Sequence, residues 1–231
     1  MDNLEGRVKA AVRHFWQNRQ DKSPQAGQTL DEFSLLIKNL LVESGIPAGS
    51  IYRKEKEELP GFFRPSKRWD LIVVLDGQLF AALEMKSQVG SFGNNYNNRT
   101  EEAIGSATDI WAAYREGAFK LSQRPWLGYL MLLEDAQGSR RAIKVAEPHF
   151  GVFTEFQGAS YAKRYELLCK RLMRESLYDA ACLLMSGREH GLQGEFTEPV
   201  PELSFRNFIT PLVGRALAYK MLRGEDKQSV D

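Results

Sequence analysis

Two kinds of hydrophobic spacing alternate along the chain. From Leu4 to about Gln20 the apolar positions Leu4, Val8, Ala11, Val12, Phe15 and Trp16 recur at helical intervals and predict an amphipathic helix. SPQAGQT breaks that pattern. A second helix is predicted over Leu30–Glu43, with Thr29 as its cap and Phe33, Leu36, Ile37, Leu40 and Leu41 as its buried stripe. Beyond a charged stretch at Arg53–Glu58 and the LPGFFRPSKR segment, the spacing changes from helix to strand.

WDLIVVLDGQLFAALEMK reads as a hairpin turning at Asp76-Gly77. Leu71, Val73 and Leu75 alternate with Ile72 and Val74, so the first strand is apolar on both faces and belongs inside a covered sheet. WLGYLMLLED predicts a further central strand and RRAIKVAE a short one. TEEAIGSATDIWAAYREGAF between them predicts a helix capped at Thr100. Tyr161–Met185 is read as one long helix with a positive side (Lys163, Arg164, Lys170, Arg171, Arg174), and Phe208–Leu222 as a closing helix. The order predicts an α/β fold with a sheet covered on both sides. One domain is expected over 1–231, with a helical part at 1–45, a core at about 50–150 and a C-terminal helical part at 160–225.

Composition narrows the function classes. Of the 231 residues, 31 are Lys or Arg and 30 Asp or Glu, so a formal charge of +1 supplies no global field toward a polyanion or a membrane. A nucleic-acid partner would need a local basic surface. No uninterrupted apolar run approaches the length needed to span a bilayer, and the opening MDNLEGRVKAAVRHFW lacks an apolar leader core, so a cytoplasmic protein is expected. Cys169 and Cys182 lack metal-ligand spacing and are read as buried thiols; His14, His149 and His190 have no sequence-near partner.

The anomaly is three charges around the hairpin. Glu84 and Lys86 are two apart on a strand and share a face, while Met85 points to the other. Asp70 joins them only if the turn parity permits. A strict two-residue Asp76-Gly77 loop would set Asp70 opposite Leu83, on the wrong face. A three-residue connection, either Asp76–Gln78 or Leu75–Gly77 with a bulge, brings Asp70 opposite or diagonal to Glu84. Opposed Cβ atoms are about 4.5–5.5 Å apart, which suits two carboxylates holding one ion. Mg²⁺ takes such oxygen ligands and keeps several waters, and Lys86 would face the phosphate or the attacking water. The chemistry this implies is metal-assisted phosphodiester hydrolysis. The plain alternative is a turn-capping Asp70 and a surface Glu84–Lys86 pair.

Gln88 continues the Glu84 face and could touch phosphate or metal-bound water; Glu43 is a further candidate ligand. The stretch Asn94, Asn95, Asn97, Asn98, Arg99 is expected as a polar loop whose amides and guanidinium could read base edges, or which merely makes turns. Arg140, Arg141 and Lys144 are candidate phosphate contacts.

WDLIVVLDGQLFAALEMKSQVG followed by FGNNYNNRTEEAIGSATDIWAAYREGAF resembles the XhoI family of type II restriction endonucleases, within the PD-(D/E)XK nuclease superfamily. The resemblance implies a central mixed sheet flanked by helices, with Asp70, Glu84 and Lys86 as the catalytic set. It also implies Mg²⁺ as cofactor and a homodimer acting on double-stranded DNA. Such an enzyme cuts a palindrome, CTCGAG for the family's namesake, after the first C to leave 5′ overhangs, alongside a separate protective DNA methyltransferase. The chain departs from the motif in one place: Trp69 precedes Asp70 where the motif has proline, although Pro65 lies nearby. A low-specificity repair or recombination nuclease, or a DNA-binding module without catalysis, are the competing classes.

Overall fold

In the computed structural model, residues 3–21, 30–120 and 122–226 are described. Helices α1 (Leu4–Asp21) and α2 (Asp31–Glu43) open the chain. The strands are β1 (Ile51–Tyr52), β2 (Glu58–Pro60), β3 (Ser66–Arg68), β4 (Leu71–Leu75) and β5 (Gln78–Gln88), followed by helix α3 (Phe92–Arg115) and strand β6 (Trp126–Glu134). A short turn of helix α4 (Gln137–Arg140) precedes α5 (Tyr161–Arg174), β7 (Ala180–Ser186), the short α6 (Arg188–Gly191) and α7 (Phe205–Asp226).

The sheet runs in the order β1-β4-β5-β6-β7, and β2 with β3 forms a separate two-stranded ribbon. β4 is antiparallel to β1 and β5, whereas β5, β6 and β7 are mutually parallel. Parallel neighbours need long crossovers, and α3 and α5 supply them. One face of the sheet, through Leu83, Met85, Leu130 and Leu184, packs on α1, α2 and α7. The other, through Ala82, Tyr129, Met131 and Leu183, packs on α3 and α5. This is the mixed, doubly covered sheet that the strand pattern implied.

Four local expectations need correction. Tyr161–Met185 is not one helix: α5 stops at Arg174, Ser176 takes a left-handed φ of 55°, and Ala180–Ser186 is a fully buried strand. A continuous apolar run has no period that separates a buried strand from a buried helix. RRAIKVAE forms no strand; only Ile143 and Val145 are half-buried, too little apolar surface to anchor a ladder. The Asn94–Arg99 stretch is not a loop but the start of α3, and Thr100 lies inside that helix, its hydroxyl donating to the Tyr96 carbonyl at 3.0 Å. Packing decides this: Phe92 stacks on Tyr161 at 5.9 Å and Tyr96 meets Tyr165 edge-on at 5.1 Å, overriding the weak helix propensity of asparagine. The Thr29 cap falls outside the described residues; α2 begins after Leu30 with no side-chain cap bond.

The fourth correction concerns the hairpin. Its turn is the tight two-residue Asp76-Gly77, both left-handed (φ 53° and 75°), with Leu75 paired to Gln78. The extra residue sits up the strand instead. Val74 pairs with Leu79 but Val73 with Ala81, so Phe80 is bulged out of β5. The bulge flips the parity of everything beyond it: Leu79 faces α3 and α5, yet Ala81 and Leu83 face the opposite layer. Leu71 consequently pairs with Leu83, which sets Asp70 across from Glu84.

Candidate active site

Asp70 is locked to β5 at both residues that flank Glu84. Its N–H donates to the Leu83 carbonyl at 3.1 Å, and its Oδ2 accepts from the Met85 N–H at 2.6 Å. Among the described residues no hydrogen bond reaches Oδ1. Asp70 opens to solvent while the surrounding sheet crowds its carboxyl; that partial burial, and then the charge of Glu84, push its pKa up to about 6.

Glu84 is buried, at 3% exposure, and both its oxygens are engaged. Lys86 Nζ lies 2.6 Å from Oε1, and Lys67, from β3, donates to Oε2. Burial works to lower the Lys86 pKa, but the charge and hydrogen bond of Glu84, then Asp70 and Glu102, outweigh it and hold the ammonium above its ordinary value. Glu102 of α3 is 3.8 Å from Lys86 and 2.6 Å from Arg99.

Glu84, Lys86 and Lys67 line a cleft of about 470 Å³ together with Arg64, Glu101 and Glu102, among others. Its outer lip is the segment before β3. Asp109 of α3, 4% exposed, receives the N–H groups of Phe62 and Phe63 at 2.7 and 2.8 Å on Oδ1 and the Arg64 Nε at 2.6 Å on Oδ2. Gly61 has no room for a side chain, since a Cβ would meet the Asp109 carboxylate and stand 2.8 Å from the Arg64 carbonyl. Sequence reading missed Lys67, Arg64, Glu102 and Asp109. Their signal was weak: Lys67 sits two residues before the conspicuous WD pair, and α3 had been expected to start later.

The remaining candidates spread out. Gln88 is buried, and its amide donates to the Gly90 carbonyl, which fixes the bend into α3. Glu43 ends α2, on the opposite side of the sheet from Glu84, and its carboxylate takes both terminal nitrogens of Arg7 at 2.8 Å. Asn94, Asn97 and Asn98 are exposed on α3, one turn apart and in line with Glu101 at the cleft; Asn95 bonds back to the Ser91 carbonyl at 3.1 Å. Arg140 is committed to Asp135 (2.7 Å from Nη2), while Arg141 and Lys144 are exposed.

The model of restriction endonuclease XhoI matches residues 17–198, most of the chain. The chain belongs to the XhoI restriction endonuclease family. Within that family it is 52% identical over 193 residues to the type II restriction enzyme BstVI of Geobacillus stearothermophilus, covering 81% of this chain and 86% of that one. It is 45% identical to the type II restriction enzyme XhoI of Xanthomonas vasicola (64% of this chain, 60% of that one) and 45% identical to AbrI of Azospirillum brasilense (64% and 74%). No solved structure matches. The mixed sheet of this XhoI-family chain has the PD-(D/E)XK architecture, with Asp70 at the entrance to β4 and Glu84-x-Lys86 on β5. No helix among the described residues is long and apolar enough to cross a membrane.

The donor set suits a hard dication. Asp70 and Glu84 offer oxygen ligands on one face, and among the described residues no group of three His, Cys, Asp or Glu side chains gathers that could hold a metal. Carboxylate oxygens are the donors a hard dication takes, whereas zinc sites are built mainly from thiolate and imidazole.

Proposed function

We propose that this chain is a type II restriction endonuclease that hydrolyses phosphodiesters in both strands of duplex DNA. The observation that carries the proposal is the register that sets Asp70 across from Glu84, with Lys86 on the same Glu84 carboxylate, in a chain of the XhoI family. Asp70 and Glu84 would hold Mg²⁺, and the ion would supply charge neutralisation at the phosphate and a more acidic water. Asp70 must be ionised to serve, and the Met85 N–H keeps one of its oxygens oriented. Lys86, kept cationic by its acidic neighbours, donates to the phosphate and stabilises the charge that develops on its oxygens.

The exposed positions Asn94, Asn97 and Asn98 of α3, with the half-buried Arg99 beside them, lie up the helix from Glu101 of the cleft and are the surface proposed to meet bases. Arg141 and Lys144 add phosphate contacts. A near-neutral chain needs such local surfaces, and a two-fold homodimer would present one catalytic cleft to each strand of a palindrome. The proposed site is CTCGAG, cut after the first C to leave a 5′ overhang, with a separate methyltransferase protecting the host sequence.

The test is digestion of plasmid DNA of known sequence with Mg²⁺, followed by mapping of the ends. Discrete fragments with 5′-phosphates at CTCGAG support the reading. Discrete fragments at another palindrome would overturn the site alone, and uniform degradation would favour a low-specificity nuclease.

A further inference from the structure

Lys67 lies outside the Asp and Glu-x-Lys set, yet it is the second ammonium on Glu84. Its side chain is only 12% exposed, packs 4.4 Å over the Trp69 ring and gives a further bond to the Arg68 carbonyl at 3.0 Å. An ammonium withdrawn so far from water is costly unless paired, and Glu84 is the acidic partner it has. With Lys86 on Oε1 and Lys67 on Oε2, each oxygen of Glu84 already carries an ammonium, and a dication arriving at the carboxylate meets two positive charges. The carboxylate's hold on a dication strengthens when one of these lysines moves away.

The surroundings decide which. Lys86 stands on the central strand β5 and is held by Glu84 and, at 3.8 Å, by Glu102. Lys67 stands on the two-stranded ribbon outside the sheet, at the end of a flexible four-carbon stem, and lines the same cleft as Arg64. We propose that Lys67 occupies Glu84 in place of a divalent cation while DNA is absent, and moves onto a DNA phosphate when Glu84 takes the metal. Lys67 thus acts as a positioning residue that ties metal loading to substrate: it competes with the ion in free protein, and a polyanion in the cleft removes the competitor. This rests on the metal-dependent reading above.

The experiment is a Mn²⁺ titration of DNA-free protein, followed by electron paramagnetic resonance, on the parent, Lys67→Met, Lys67→Arg and Arg64→Gln chains. Methionine keeps the apolar stem over Trp69 and removes the charge. Lys67→Met is expected to bind Mn²⁺ at least about fivefold more tightly. Lys67→Arg, which keeps the cation, stays within about twofold of the parent, as does Arg64→Gln, which removes a cleft cation that does not touch Glu84. In Lys67→Met, addition of a non-cleavable duplex should no longer raise Mn²⁺ affinity as strongly as it does in the parent. Unchanged Mn²⁺ affinity in Lys67→Met, or an equal gain in Arg64→Gln, overturns the proposal. Failure of the underlying reading looks different: Glu84→Gln would then bind Mn²⁺ as the parent does.

Discussion

Asp70 faces Glu84 across the hairpin because Phe80 is bulged out between them and the turn. Were Phe80 paired in the ladder instead, the Asp76-Gly77 turn would put Asp70 opposite Leu83, pointing at the wrong layer. Deletion of Phe80 removes the bulge yet leaves Val73 paired with Ala81 and Leu71 with Leu83, so Asp70 stays across from Glu84 and cleavage is expected to be retained. Phe80→Ala, which keeps the count, should retain most activity and lose about 1–2 kcal/mol of stability from the contacts with Tyr219 and Arg215. Cleavage assays alongside denaturant melts check both; a deletion variant that folds but does not cleave would contradict the register argument.

The raised pKa of Asp70 has a sign that can be measured in metal-free protein. Its folded value, about 6, exceeds the ordinary carboxylate value near 3.9, so the folded state binds more protons across that window. The contribution of Asp70 to stability is complete below about pH 4 and lost as pH rises through about 6. Asp70→Asn, which cannot ionise, should accordingly match the parent in EDTA at low pH and exceed it at pH 7. Equal pH profiles for the two proteins would count against a crowded carboxylate pair.

Asp109 behaves in the opposite sense. Burial works to raise its pKa, but the N–H groups of Phe63 and Phe62 and the Arg64 guanidinium together bring the carboxyl below its ordinary value. The stability it contributes is present above about pH 4 and lost as pH falls through the folded value. Asp109→Ala leaves three donors of the cleft lip without their acceptor and should cost about 2–4 kcal/mol at pH 7, with the gap to the parent narrowing in acid. Chemical denaturation at pH 7 and pH 3 tests this; a constant gap would refute it.

On α3, the pair Asn97→Ala and Asn98→Ala should leave the helix intact or slightly firmer, because alanine is the better helix former. Binding of a CTCGAG duplex is expected to weaken by about tenfold or more if both amides meet bases. Anisotropy titrations in Ca²⁺ against specific and scrambled duplexes read this directly. An unaltered preference for the specific duplex would remove these residues from the interface.

Much of this site was legible in the sequence because charge in an apolar strand is an anomaly that period-2 spacing can assign to a face. Glu84 and Lys86 needed nothing more. Asp70 did, since its face depends on a bulge and no local pattern marks Phe80 as the residue left out of the ladder. The helix-for-strand error at Ala180–Ser186 has a similar root: a strand buried on both faces loses the alternation that identifies it. Lys67 and Asp109 are brought to the cleft by the ribbon and by the length of α3, which are tertiary facts. The amide-rich start of α3 was hidden because its helicity comes from the aromatic contacts with α5.

The most direct measurement separates binding from cutting. Glu84→Gln and Lys86→Ala, compared with the parent on a CTCGAG duplex, should keep duplex binding within a few-fold in Ca²⁺ yet lose at least about a hundredfold in Mg²⁺-dependent cleavage. Cleavage at the parental rate in either variant would contradict the account.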